Sequence, residues 1–324
     1  MAFLAAAVVA GLLVGPAGLP AGDVAQAFAA KVPLLGVHSP LGPTESTIVF
    51  DLRLPRVALG ALVGATLAVA GGAYQGVFRN PLADPYLLGI AAGSGLGATL
   101  VIAYGPPGSS TSMLLPAVAF AGGVTSVVLT YLVGRGTTSL ILAGVTVAAF
   151  FTALETFVQQ QRSESIRDIY AWLLGQLETS GWTEVAIIAP YAIVALVTLV
   201  AHRRVLDVLR LGDDEAAALG VDVGRVRLAV IVAATLGTAA AVAVSGLIGF
   251  VGIIVPHAIR MLAGGSYRVL LPLSVVAGAG FLVFADLLAR TVLSPAELPI
   301  GVVTAFFGAP FFAVVLRTTR VVGA

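Results

Sequence analysis

The feature that most constrains this chain is a succession of apolar stretches, each long enough to cross a bilayer, with nearly all charge collected between them. A membrane helix takes about 20 predominantly apolar residues. Spans are read at about 2–19, 57–78, 86–104, 113–134, 138–160, 183–202, 226–246, 247–263, 270–289 and 299–317. Composition agrees: 59% of the 324 residues are apolar and 10% are charged, against roughly 25% charged in a soluble domain. A soluble core cannot hide that much apolar surface, and exposing it to water would drive aggregation. The sequence therefore predicts an all-α, polytopic membrane protein with about ten transmembrane helices, built as a single transmembrane domain over 1–324. Gly246 and Gly249 alone separate the seventh and eighth spans. The first, short and Ala-rich, also reads as a signal peptide, although it lacks the basic n-region of one.

Orientation follows from where Arg and Lys fall. An even number of spans puts both termini on one side. Placing them inside leaves Arg79, Arg135, Arg203, Arg204, Arg210, Arg225, Arg227, Arg260, Arg268, Arg317 and Arg320 in the cytoplasm. Lys31, Arg53, Arg56, Arg162, Arg167 and Arg290 then lie outside. Two outer connections are long, 20–56 and 161–182. The second turns amphipathic through Ile169, Tyr170, Trp172 and Leu173, which fits either a helix along the outer face or a solvated loop. On the inner side the long connection is 203–225.

Several function classes are excluded. The chain has no cysteine, so thiolate metal sites and cysteine nucleophiles are out. A net charge of +1 leaves no footprint for nucleic acid. The single lysine, Lys31, sits in Ala-Lys-Val, whereas a phosphate-binding P-loop needs Gly-Lys-Ser/Thr. ATP hydrolysis by a Walker motif must therefore reside on another chain. No Ser/His, paired-Asp or zinc-ligand arrangement suggests an intramembrane enzyme, and a sensory or structural role is a minor alternative.

The residues that remain fall into a few groups. In Arg79-Asn-Pro-Leu-Ala-Asp-Pro-Tyr-Leu-Leu-Gly89, Pro81 and Pro85 prevent a continuous helix, and Asn80 is placed to satisfy exposed backbone groups. This is either a plain turn or a constriction beside a pathway. The inner segment Leu211–Gly220 reads as a short helix with Asp213 as N-cap and Gly220 as its stop. Its small Ala-rich face lets another protein approach closely. Arg53 and Arg56, three apart, are expected to be presented together by one turn, with Arg290 on the same side. Asp286 and Arg290 are spaced as a helical pair. Glu155 and Asp286 are the acids a proton-coupled carrier would have to use. His257 reads more readily as a helix-end hydrogen bonder than as a metal ligand.

Taken together, the motifs resemble the FecCD-like permeases of type II ABC importers, which include vitamin B12, haem and ferric-siderophore permeases. The matching stretches are Arg53-Leu-Pro-Arg56, Gly71 to Pro85, Leu142-Ala-Gly144, Trp172-Leu-Leu-Gly175 and Leu211 to Gly220. They continue with Gly246 to His257, Arg268-Val-Leu-Leu-Pro272, Asp286-Leu-Leu-Ala-Arg290, Glu297 to Thr304 and Gly308-Ala-Pro-Phe311. They cover nearly the whole chain in the family's order. The departures are a short N-terminus without a basic residue and a loose match at Gly136-Thr-Thr-Ser139.

The resemblance implies a type II permease architecture, in a prokaryotic inner membrane, with no cofactor in this chain. Its implied partners are a second permease copy (a homodimer), two ATP-binding subunits that hold ATP and Mg, an extracytoplasmic substrate-binding protein, and membrane lipid. By position, Arg53, Arg56 and Arg290 match the arginines on which the binding protein docks. Asn80, Pro81 and Leu82, with Thr137 and Thr138, match the cytoplasmic gate. Gly212, Glu215, Ala216 and Gly220 match the loop that couples to the ATPase. The cargo implied is a corrinoid, a ferric siderophore or haem. The rival reading is an ion-coupled secondary transporter.

Overall fold

The computed structural model describes residues 1–15, 17–32, 36–106, 108, 113–134, 136–177 and 181–321, without the side chains at 137, 316 and 318–321. Arg135 and the side chain of Arg320 therefore lie outside the described residues. Among the described residues the chain is helical, without strands. Its N-terminal part comprises α1 (Ala2–Leu13), α2 (Ala21–Ala30) and α3 (Pro43–Thr47), followed by a π-helical turn, Ile48–Arg53, that runs straight into α4 (Leu54–Val77). Next come α5 (Ile90–Tyr104), α6 (Leu114–Val133), α7 (Thr137–Gln161), α8 (Ile166–Leu173) and α9 (Thr183–Ala201). The inner connection holds α10 (Arg203–Leu209) and α11 (Asp213–Ala218), and the chain closes with α12 (Val223–Ser245), α13 (Val251–Ala263), α14 (Tyr267–Thr291) and α15 (Ile300–Val321).

Each of the ten apolar stretches contains one helix. Among the described residues six helical segments are long and apolar enough to span a bilayer, and α1, α5, α13 and α15 add shorter apolar segments. The protein is a multi-pass membrane protein. The boundary between the seventh and eighth spans falls where the glycines placed it. Residues 246–250 leave the helix, with Gly246 at φ +65° and Phe250 at φ +70°. The first span is shorter than expected. Its helix stops at Leu13, where Arg53 caps the carbonyls of Leu12 and Leu13. Phe3 packs on Phe284 and Gly11 lies beside Arg290, so α1 follows only the later part of α14.

The central element is α4, buried almost throughout from Val57 to Val77. In an apolar solvent, helices gain little from burying leucine against each other. Close approach of small residues must do more of the work. The sequence of α4 supplies Gly60, Gly64, Gly71, Gly72 and Gly76 among alanines. A Cβ added at Gly64 would strike the Gly278 carbonyl of α14, and one at Gly278 would strike the Gly64 carbonyl. A Cβ at Gly71 would likewise enter the Gly252 backbone of α13. Hydroxyl and amide groups add cross-links, Tyr74 to Thr235 of α12 at 3.1 Å and Gln75 Nε2 to the Gly252 carbonyl at 3.2 Å. The apolar core divides along this axis. One part gathers Tyr74, Phe78, Leu206, Leu209 and Leu270, and the other Leu59, Val63, Ile188, Leu282 and Ile300.

Because these crossings have no slack, Gly64→Val should displace α14 or prevent folding. Overpacking of this kind costs about 1–3 kcal/mol or more. Size-exclusion profiles of detergent-solubilised protein should show loss of the monodisperse peak. Gly22→Ala in α2, where an added Cβ meets nothing within 4 Å, should leave the profile unchanged.

Candidate functional site

At the outer end, Arg53 and Arg56 take different partners, so they do not form the jointly presented pair that their spacing suggested. Arg53 is 5% exposed and donates from Nη1 to the Leu12 and Leu13 carbonyls at 3.1 and 3.3 Å. This satisfies acceptors that the end of α1 leaves open. Arg290 is 3% exposed, donates to the Gly11 carbonyl, and stands 3.5 Å from Asp286. Arg56 points the other way, donating from Nε to Asp286 at 2.9 Å and from both terminal nitrogens to Glu297 at 3.1 and 2.7 Å. Glu297 is brought there by the loop after α14, which folds back through Leu298 N–H to the Ala289 carbonyl. The result is a bidentate Arg56–Glu297 pair at the surface over a buried Asp286 held by two guanidiniums. Of the three arginines, Arg56 keeps the most solvent contact, and Glu297 was not anticipated as its partner.

Two chain breaks meet deeper in the molecule. After α4 the chain makes a Schellman turn, with Asn80 N–H on the Gln75 carbonyl and Arg79 N–H on the Gly76 carbonyl. The left-handed position of that turn is normally glycine, but here it is Arg79 at φ +49°. Asn80 Oδ1 accepts from Leu82 N–H at 2.9 Å, the backbone-satisfying role expected of it. Asp84 repeats the device with Tyr86 N–H at 2.8 Å. Burial pushes the Asp84 carboxyl up to about 6, against the opposing pull of that N–H. Carbonyls at the start of α5 are satisfied by α6, through Ser126 to Gly89 at 2.8 Å and Thr130 to Leu88 at 3.1 Å. The Tyr86 hydroxyl then reaches the second break, donating to the Ile248 carbonyl at 3.0 Å and accepting from Ile248 N–H at 3.1 Å. Pro85 packs where a Cβ on Gly252 would stand.

The same break is braced from outside. α8 forms over the expected amphipathic stretch, with Ile169 and Trp172 buried and Tyr170 exposed. Beyond it, Gln176 N–H donates to the Ser245 carbonyl at the end of α12, while Ile300 and Gly301 at the start of α15 donate to the Gly175 and Leu174 carbonyls. Pro81 and Leu82 are exposed, as is Thr138 in the first turn of α7. The side chain of Thr137 is outside the described residues. The contact between α7 and the segment after α4 runs through Gly144, whose added Cβ would meet the Leu87 carbonyl, two turns beyond Thr137.

The inner helix α11 forms where it was expected, with two corrections. Its N-cap is Gly212, at φ +138°, and Asp213 is the first helical residue. Asp213 faces α12 instead, accepting from Arg227 Nη2 at 3.0 and 3.2 Å and lying 3.3 Å from Arg79. Ala216 is fully buried under the helix, so it packs inward and presents no docking surface. Gly220, at φ +82°, closes the helix, with Val221 N–H on the Ala216 carbonyl. Exposed at the two ends of α11 are Leu211 (63%) and Leu219 (65%), with Glu215 between them. These leucines are the docking candidates the sequence reading passed over. Apolar residues next to a helix cap look structural until their exposure is known.

The remaining candidates resolve differently. Glu155 is buried beside Gly95 and accepts from Gln159 at 3.2 Å. The His257 ring packs edge-on against Phe311 of α15, and its Nδ1 has no hydrogen-bond partner among the described residues, so packing rather than hydrogen bonding places it. Among the described residues no three His, Cys, Asp or Glu side chains group as a metal site would. α7 and α15 leave large apolar side chains uncovered, Phe150 and Phe157 on one and Phe306 and Val314 on the other.

These features, with two interlocked chain breaks, an ion-paired outer cluster and an exposed inner helix, belong to a multi-pass membrane protein. The chain belongs to the FecCD transport family, whose model matches residues 3–318. It is 40% identical to the cobalamin import system permease protein BtuC of Halobacterium salinarum over 309 residues, covering 94% of this chain and 81% of that one. It is also 40% identical to the Fe(3+) dicitrate transport system permease protein FecD of Escherichia coli over 275 residues, with 84% and 86% covered. A solved inward-facing structure assigned to the metal-chelate type of ABC transporter superposes with a TM-score of 0.85 at 33% identity, covering 98% of this chain and 97% of that chain.

The outer cluster makes an unequal prediction for its two acids. Removing one partner of a buried ion pair costs about 3–5 kcal/mol, whereas an exposed partner is worth about 0–1 kcal/mol. Asp286→Ala should therefore lower the thermal midpoint in detergent sharply, and Glu297→Gln should barely move it.

Proposed function

We propose that the chain is the permease subunit of an ABC importer in a prokaryotic inner membrane, carrying a chelated-metal nutrient of the corrinoid, ferric-siderophore or haem type. A substrate-binding protein delivers the cargo from outside. Two separate subunits bind ATP and Mg and supply the energy, since the only lysine here lies outside any P-loop pattern. The observation that carries this reading is α11, an exposed helix flanked by Leu211 and Leu219 at the same end as the chain break after α4, in a member of the FecCD family. The relatives named for cobalamin and ferric citrate support the cargo class.

In this reading α11, with Gly212, Glu215, Ala216 and Gly220 shaping it, seats on the ATPase. Asn80, Pro81 and Leu82, with Thr137 and Thr138, form the cytoplasmic gate. The binding protein meets Arg56 directly by exchanging its own carboxylate for Glu297. Arg53 and Arg290 contribute from beneath by holding α1 and Asp286. A second copy of the chain pairs against the uncovered faces of α7 and α15 to form a homodimer, and lipid covers the rest. Of the two acids open to the ion-coupled alternative, Asp286 is committed to two arginines.

Reconstitution tests the reading. The chain with its ATPase subunits and binding protein in liposomes should take up cyanocobalamin, ferric citrate or haemin only when ATP is present. Arg56→Lys, which keeps a cation over Asp286 but loses the bidentate fork, should lower that uptake about tenfold, equivalent to ~1.4 kcal/mol of lost docking free energy, with ATPase assembly intact. Glu215→Ala with Gly220→Val should instead raise ATP consumed per molecule imported. Uptake by the chain alone on a proton or sodium gradient would overturn the proposal.

A further inference from the structure

The turn after α4 carries a residue that backbone chemistry alone would not select. In a Schellman turn the left-handed position favours glycine, since any Cβ there is strained. Arg79 occupies it at φ +49° although both hydrogen bonds of the turn would form equally well around glycine. Its side chain must therefore do something the turn does not need. It reaches 3.3 Å from Asp213, the first residue of α11.

The surroundings aim it there. On one side of Arg79 is a cleft of about 230 Å³ whose lining includes Arg210 and Arg260 and no carboxylate. Arg210 is held by the Gly265 carbonyl at 2.7 Å and Arg260 by Gln75 at 2.9 Å. Arg210 is also paired with Asp207 at 3.9 Å, and among the described residues the acid paired with Arg79 is Asp213. Asp213 is held from behind by Arg227 of α12, which is only 15% exposed, so α11 and the start of α12 form one body. Beyond Arg79 the next residue is Asn80, whose side chain fixes Leu82.

We propose that Arg79 and Asp213 are the positioning pair through which movement of α11 is transmitted to residues 80–82. The inference rests on the reading of α11 as the ATPase seat and of 80–82 as the gate, and names the contact that joins them. The pair itself is 41% and 42% exposed. Exposed ion pairs contribute little to stability, so the contact is poor at holding the fold together. It is well placed to transmit a displacement, because it attaches α11 to a backbone position next to the gate.

The absence of cysteine makes the test direct. Leu82→Cys, at an exposed position, is introduced as the parent, co-expressed with the cognate ATPase subunits, and labelled with a water-soluble maleimide with and without ATP and vanadate. In the parent, trapping nucleotide should change the labelling rate by about fivefold or more, a typical coupling magnitude. Adding Arg79→Gly should reduce that change to less than about twofold, while the ATPase still co-purifies and the thermal midpoint is no lower, because the turn is relaxed. Asp213→Asn, which also loosens the Arg227 contact, should lose at least as much of the response, and adding Arg79→Gly to it should cause no further loss, as expected for two ends of one contact. A full nucleotide response in Arg79→Gly, or strictly additive losses, would overturn the link and leave the permease reading standing. A parent that binds its ATPase yet shows no nucleotide response at Cys-labelled position 82 would overturn the gate reading and the link with it.

Discussion

Direct backbone contact around α4 is the constraint on which the other elements depend. Apolar side chains gain little from each other in a membrane, so the helices are registered where glycines let carbonyls and Cα atoms touch. Gly64 with Gly278 sets α14 against α4, and Gly71 with Gly252 sets the start of α13. Gly252 has two demands on it, since Pro85 occupies its other side. One small residue thus fixes α13 relative to both α4 and the segment after it. Gly308 serves α15 in the same way, where a Cβ would enter the Phe250 ring.

Once helices are fixed that tightly, chain breaks become affordable only if every exposed amide finds a partner inside the protein. The two breaks solve this jointly. Tyr86 supplies donor and acceptor to Ile248, α6 hydroxyls take the carbonyls at 88 and 89, and residues 174–176 bind the ends of α12 and α15. The breaks are consequently not independent hinges. The segment 79–89 is joined to 246–250 through the Tyr86 phenol, which both donates to and accepts from Ile248.

Charge is divided between the ends by the same economy. At the outer end, arginines are used to terminate α1 and to neutralise Asp286, and surface pairing with Glu297 comes last. At the inner end, Asp213 is shared between Arg227 and Arg79, so the exposed helix is anchored to one neighbour and in touch with another. The family model and the superposition on a metal-chelate ABC transporter place the whole arrangement among FecCD proteins.

What the sequence by itself determined was everything periodicity and punctuation encode. The ten apolar segments, the break at Gly246 and the short inner helix ending at Gly220 were legible from local residue types, whereas the amphipathic stretch after Gln161 fitted a helix or a loop until α8 decided it. Family membership was legible too, because ordered motifs survive along a chain independently of how it packs. Tertiary structure alone decided direction and partnership. It gave Arg53 and Arg56 different partners, the end of α1 for one and Asp286 with Glu297 for the other, and it buried Ala216 while exposing Leu211 and Leu219. It also joined Tyr86 to Ile248, 162 residues away, and Arg79 to Asp213. Such contacts depend on which face of a helix meets which neighbour, and in a chain apolar on nearly every face the hydrophobic pattern carries little of that information.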